Sequence, residues 1–300
     1  MISPQHAIDA IHERFGDHAE HRALHAKGTL YTGTFTATPE AAHFTRADHM
    51  QGEPVPTTVR FSNGSGDPDV PDYAPDVRGL AVTFHLAEGS RTDISAQTVP
   101  RFPFRDVDPF IELVRLSKPG PAAALKLPLF LARHPRALGA LRTNLAALKP
   151  PPSFAALTYH ALHAFKWLDA GGGQRYVRYT WKPTIDIPDL GRGEAKARGR
   201  DYLSAELVKR LKEGPVRLEL EVQIAGPGDD PNDPSAVWPQ ERDRVVVGTL
   251  EVTAPTDEGD DFVFDPTRVT DGIEPSDDPV LRFRPRAYAI SHERRSAGAG

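Results

Sequence analysis

Apolar residues recur at two different spacings. At the start Ile8, Ile11 and Phe15 fall three and four apart, which predicts a short amphipathic helix over residues 5–15. β-Branched, aromatic and alternating runs follow. Thr29–Ala37 (TLYTGTFTA), Pro56–Ser62 (PTTVRFS), Leu80–Leu86 (LAVTFHL) and Thr92–Val99 each predict a strand. From Asp108 to Asp169 the chain turns Leu- and Ala-rich, and segments broken at Pro119, Pro128, Pro135 and Pro150–Pro152 predict helices throughout. Gly171–Gly173 then reads as a helix C-cap and turn. Strands resume at Tyr176–Trp181, Val216–Ala225 and Arg244–Thr253, with a helix at Asp201–Glu213 between the first two. Strands, then helices, then strands fit an antiparallel barrel interrupted by a helical insertion.

Composition narrows the class. A chain of 300 residues admits two ordinary domains, or one β-barrel with helical additions. At 39% hydrophobic and 26% charged residues it reads as soluble and globular. Its 29 prolines and 24 glycines predict many turns and short elements. Loops rich in Asp, Pro and Gly stand at Gly226–Pro234, Asp257–Asp261 and Asp271–Pro279. The absence of cysteine excludes a disulfide framework, a thiolate nucleophile, Fe–S clusters and Cys-bound zinc. No apolar run is long enough for a transmembrane helix. The first residues are charged and His-rich, unlike a secretory signal, so a cytoplasmic protein is expected. A net charge of −5 argues against nucleic acid as a partner.

Charge is unevenly spread. Between Leu113 and Leu168 there is no carboxylate, yet Arg115, Lys118, Lys126, Arg133, Arg136, Arg142, Lys149 and Lys166 all fall there. One reading is helices whose cations face solvent or pair with acidic loops. The other is a basic amphipathic face for a membrane surface, an anionic substrate or a partner subunit.

Without cysteine, histidine is the first candidate for acid–base or metal chemistry. His6, His12 and His18 read as solvated. His21 and His25 would share one helix face, as a metal pair does, but the segment runs on into Gly28 and a strand, with no carboxylate nearby to complete a zinc set. There is no nucleophile elbow, P-loop or dinucleotide fingerprint. Near the end stands Arg284-Pro-Arg-Ala-Tyr288, followed by His292 and Arg295. If this segment is helical after Pro285, Arg284 and Tyr288 lie one turn apart. A guanidinium beside a phenol favours the phenolate, a hard ligand suited to ferric iron.

Other blocks give that short motif its meaning. Glu20-His-Arg-Ala-Leu-His25-Ala-Lys-Gly28 resembles the stretch around the distal histidine of haem catalases. Val59–Ser62 (VRFS) and Asp76–Phe84 (DVRGLAVTF) resemble their next two strands. Asp93–Asp106, ending PRFPFRD, is similar to the stretch that carries their distal amide. Tyr179–Pro183, Val237–Pro239 and Gly272–Ser276 match later landmarks in the same order. The chain thus resembles a catalase-related peroxidase.

That resemblance implies an α+β fold of the haem-catalase type, an antiparallel β-barrel with inserted and flanking helices. It implies one haem-binding domain over residues 1–300, in which the residue pattern itself predicts the helical insertion at about 107–170 and a mobile tail at 296–300. It also implies haem b as cofactor. His25 would be the distal acid–base and Ser62 the partner of its other nitrogen. Tyr288 would be the axial iron ligand, with Arg284 keeping it ionised. Arg22, Arg60 and Arg295 would hold the haem propionates, and Phe110 would pack on the macrocycle.

Two departures from ordinary catalases shape the expected activity. The distal amide position holds Gln97, not asparagine, which moves the amide by about one methylene, and a misplacement of ~1 Å can cost ~100-fold. Holding a second hydrogen peroxide should suffer most. The expectation is therefore a peroxidase that reduces hydrogen peroxide and organic hydroperoxides with a small organic electron donor, and only weak catalase activity. With His25 so near the start and Arg295 so near the end, a fold without the long N-terminal arm and the C-terminal domain of ordinary catalases is also expected. A homodimer through the Leu/Ala-rich residues 120–165 is the oligomer it could form. Two other readings stand beside this one. A fatty-acid hydroperoxide-transforming enzyme like allene oxide synthase is disfavoured by Leu24 and Ala26 beside His25. A haem- or lipid-binding barrel without turnover would not require His25 and Ser62.

Overall fold

The computed structural model describes residues 2–118, 120–257 and 261–297. In chain order its main elements are helix α1 (Pro4–Phe15), strands β1 (Gly28–Ala37), β2 (Val55–Asn63), β3 (Arg78–His85) and β4 (Arg91–Gln97), then helices α2 (Val107–Leu116), α3 (Pro121–Arg133) and α4 (Pro135–Leu145). Strands β5 (Tyr159–Leu168) and β6 (Gln174–Pro183) follow, with helices α5 (Arg192–Ala197) and α6 (Tyr202–Leu211) behind them. Strands β7 (Val216–Ile224), β8 (Arg244–Pro255) and β9 (Ile273–Pro275) lead to helix α7 (Pro279–Ala297).

Strands β1 to β8 form a closed antiparallel barrel. The sheet order is β4-β3-β2-β1-β8-β7-β6-β5-β9, and a pairing of Gln97 with His160 joins β4 to β5. Closure leaves no open edge on those eight strands. The interior is filled by inward-facing aromatics: Phe35 meets Phe84 edge-on at 5.1 Å and Trp181 at 6.0 Å between ring centres. A second apolar cluster lies outside the barrel, where α1, α2, α3 and α7 contribute Ile8, Ile11, Ile111, Phe130, Val280 and Ala287. The α+β barrel with flanking helices is thus the fold that the sequence led us to expect.

The differences are local. Helix was expected up to Asp169, yet Tyr159–Leu168 is barrel strand β5. Its aromatics Tyr159, Phe165 and Trp167 all face the barrel core at even spacings, and Trp167 Nε1 donates to Tyr179 Oη at 2.8 Å. Alanines and leucines between them masked that period of two. Gly171–Gly173 is accordingly the tip of the β5–β6 hairpin, not a helix cap, with Asp169 N donating to Gly173 O at 3.0 Å. Pro128 does not break a helix but sits inside α3, and α7 starts at Pro279, ahead of Pro285. Ser296 and Ala297 belong to α7, whereas the rest of the expected tail, 298–300, lies outside the described residues, as do Pro119 and residues 258–260 of the Asp257–Asp261 loop.

Candidate active site on the outer face of the barrel

Alternation along β2 puts Val59 and Phe61 into the barrel interior and Arg60 and Ser62 on the opposite face. Across the ladder Ser62 pairs with Gly28 on one side and Gly79 on the other, Gly79 pairs with Gln97, and Gln97 with His160. One cross-strand row therefore carries Gly28, Ser62, Gly79, Gln97 and His160. The irregular segment before β1 runs over this row. It is pinned where His25 N donates to Gly64 O at 3.2 Å and Ala26 N to Ser65 O at 3.0 Å.

His25 itself is in the left-handed region, at φ 57°. That conformation is uncommon for a residue with a side chain and costs about 1–2 kcal/mol. It turns the imidazole onto the row, where Nδ1 lies 3.0 Å from Ser62 Oγ. The ring fits because position 79 is glycine: a Cβ there would sit 2.7 Å from His25 Nδ1 and 2.6 Å from Ser62 Oγ. Burial first, then the positive charges of Arg60, Arg284 and Arg22, hold the His25 pKa down at about 3, against a hydrogen bond that the ring donates to the Asn63 backbone. The imidazole is thus neutral at neutral pH. His21 is exposed and the segment is not helical, so the two histidines do not form a helical metal pair. Among the described residues no cluster of three His, Asp or Glu side chains could hold a metal ion.

Arginines converge on the same region. Arg60 is 3% exposed, and its guanidinium packs against Gly28, where a Cβ would lie 2.5 Å from Cζ. Arg22 Nη2 donates to Phe262 O at 2.6 Å, and its guanidinium stands 5.5 Å from the Phe264 ring centre. Ala23 N donates to Ser291 Oγ at 3.2 Å, which fastens the His25 segment to α7. On α7, Arg284 Nη1 donates to Tyr288 Oη at 3.1 Å across one helical turn. Arg295, further along, meets His292 Nδ1 at 3.0 Å and Asp261 at 3.9 Å. Phe110 packs against Phe102 with ring centres 4.8 Å apart and planes tilted by 45°, within the apolar cluster that also contains Ala23, Leu24 and Ala287, close in sequence to His25 and Tyr288.

One pair escaped the sequence reading. His163, on β5, holds Asp278 through Nδ1 at 2.5 Å, both side chains being buried. Asp278 also caps α7, accepting at Oδ1 from Val280 N at 2.8 Å and Leu281 N at 3.2 Å. Burial, then the charge of Arg284, pushes the His163 pKa down. The pair thus anchors the start of the helix that carries Arg284 and Tyr288, against the barrel wall. Asp278-Pro279, an acidic cap before a proline, was the visible signal. His163 was hidden by the helical reading of its strand.

This arrangement can be set beside known proteins. The sequence matches the catalase family model over residues 1–299. It is 49% identical over 294 residues to a catalase-related peroxidase of Mycolicibacterium paratuberculosis, covering 97% of this chain and 94% of that one. A catalase-related peroxidase of Synechococcus elongatus is 32% identical, with 99% of this chain and 90% of the relative covered. A catalase of Pseudomonas syringae is 28% identical over 93% of this chain but only 58% of its own length. The chain belongs to the catalase family of haem enzymes, and with it to the oxidoreductases that act on peroxides.

Proposed function

We propose that the chain is a haem b peroxidase that reduces hydrogen peroxide and organic hydroperoxides at the expense of a small organic donor, with weak catalase activity. The whole chain acts as one haem-binding unit, and a chain without cysteine suits the reducing cytoplasm, where we place it. The observation that carries this reading is the neutral, tethered imidazole: His25 Nδ1 lies 3.0 Å from Ser62 Oγ. With Nδ1–H donating to Ser62, Nε2 keeps a lone pair for proton exchange.

The residues present fit a haem. Tyr288 offers a phenol oxygen that accepts from the Arg284 guanidinium at 3.1 Å, the kind of oxygen donor that ferric iron would hold. Arg22, Arg60 and Arg295 offer guanidinium forks for the two propionates, and Phe110 offers an aromatic surface for the macrocycle. When bound, haem supplies the redox-active iron at which a peroxide O–O bond is split. His25 Nε2 takes the proton from one peroxide oxygen and returns it to the other as that oxygen departs. Ser62 fixes the tautomer and the ring plane. Gln97, in line with Ser62 and Gly79 in the ladder, presents an amide for the departing oxygen. The net change is ROOH plus two electrons and two protons giving ROH and water, the electrons coming from the organic donor.

Replacing His25 with Ala tests this. The variant should keep its haem absorption and lose peroxide consumption by about 10²–10⁴-fold. Peroxide turnover surviving that change would contradict the assignment of His25. Oxygen release from hydrogen peroxide outpacing donor oxidation would contradict the ranking of peroxidase over catalase.

A further inference from the structure

The helical hairpin α3–α4 has a side that the peroxide chemistry does not use. On α3, Phe130 is fully buried and packs at 5.7 Å on Phe104, while Leu127, Leu131 and His134 are half-buried on the same stripe. The opposite stripe is no ordinary polar face. Leu125 is 80% exposed and Leu129 59%, one turn apart, with Lys126 and Arg133 exposed beside them. Helix α4 repeats the arrangement: Ala137 and Ala140 face inward, while Leu138 and Leu145 are 38% and 62% exposed, alongside exposed Arg136 and Arg142. From Leu113 to Leu168 the sequence holds no carboxylate. Among the described residues, none of Lys126, Arg133, Arg136 and Arg142 is within ion-pair distance of an acidic side chain elsewhere.

We propose that this leucine and cation face docks on an anionic lipid surface. Water is a poor partner for four exposed leucines on one hairpin, and an acyl boundary is a good one. The cations match a layer of lipid phosphates, each adding attraction close to the surface. A second copy of the chain fits less well. A two-fold contact would lay this face on itself, bringing the same cations together with no carboxylate of the segment to neutralise them. No helix among the described residues is long and apolar enough to cross a membrane, so the contact is one of lying on the surface. It does not depend on the haem reading.

The test is co-sedimentation of the full chain with phosphatidylcholine vesicles, with and without phosphatidylglycerol. Binding is expected only to the phosphatidylglycerol vesicles, and it should weaken as salt rises. The pair Lys126→Gln and Arg133→Gln should lower partitioning by about thirtyfold. Leu125→Ser with Leu129→Ser should lower it by about tenfold or more. Both double variants should keep the parent's turnover of a water-soluble peroxide, which also shows that they fold. Equal binding to neutral vesicles, or none to anionic ones, would overturn the proposal. So would a concentration-dependent dimer in sedimentation velocity that the leucine variants dissociate, because the face would then belong to a second copy.

Discussion

His25 and Ser62 meet only because Gly79 leaves room for them. A methyl group there would stand 2.7 Å from His25 Nδ1 and 2.6 Å from Ser62 Oγ, well inside contact distance. Gly79→Ala should therefore fold, bind haem and lose about 100-fold in peroxide reduction, since a shift of ~1 Å at the imidazole is enough. Rapid-mixing kinetics of the variant with hydrogen peroxide would measure it, and an unchanged rate would show that the ring can yield. Elsewhere in the barrel His49 has a different importance. It is 1% exposed, lies 4.8 Å from the Phe84 ring, and its Nδ1 has no hydrogen-bond partner among the described residues. Burial pushes its pKa down to about 3, and His160 falls to about 4 by burial and by the charges of Arg244 and Lys182. Below the ordinary 6.5 the unfolded chain takes up protons that the folded one refuses, so stability falls with pH from 6.5 towards those values. Asp93, raised to about 6 by burial, works in the opposite sense between that value and the ordinary 3.8. With more such histidines than carboxyls, melting should occur at a lower temperature at pH ~4.5 than at pH ~7. His49→Leu should reduce the difference.

Elements bring these residues together. The strands that build the row, β1 to β4, were legible because Tyr31 and Phe35, Val59 and Phe61, and Leu80 and Val82 keep a period of two. The Arg284–Tyr288 pairing was legible as a helical repeat, although the helix starts six residues before Pro285. Strand β5 was not. Its alanines, its leucines and an irregular register between His160 and Ala164 blur the alternation. With it went His163, and so the tie between barrel and α7. Nor could the turn at His25 be read, because a positive φ on histidine has no sequence signature. The tie gives a prediction at this scale. Asp278→Ala removes the cap of α7 and leaves His163 Nδ1 without its acceptor, a loss of about 2–4 kcal/mol. Denaturant melts should show it, together with weaker haem retention, because α7 carries Tyr288. A variant as stable as the parent would mean that α7 is positioned by its apolar contacts alone.

At the scale of the molecule, a closed barrel supplies a rigid wall, and the helices packed outside it form the facing side. Helix α7 brings Arg284 and Tyr288, while the segment before β1 brings Arg22 and His25. The charge of Arg284 reaches His25, so the two sides share one electrostatic environment. Between these sides a flat, iron-bearing macrocycle with two carboxylates would find the Tyr288 oxygen, guanidinium partners and a neutral base. The absorption spectrum of protein expressed with added hemin is the most direct test. A Soret band with the high-spin ferric pattern of phenolate ligation is expected, and Tyr288→Phe should abolish that pattern while leaving the barrel folded. A colourless protein that ignores hemin, or a phenolate spectrum that survives Tyr288→Phe, would contradict the assignment.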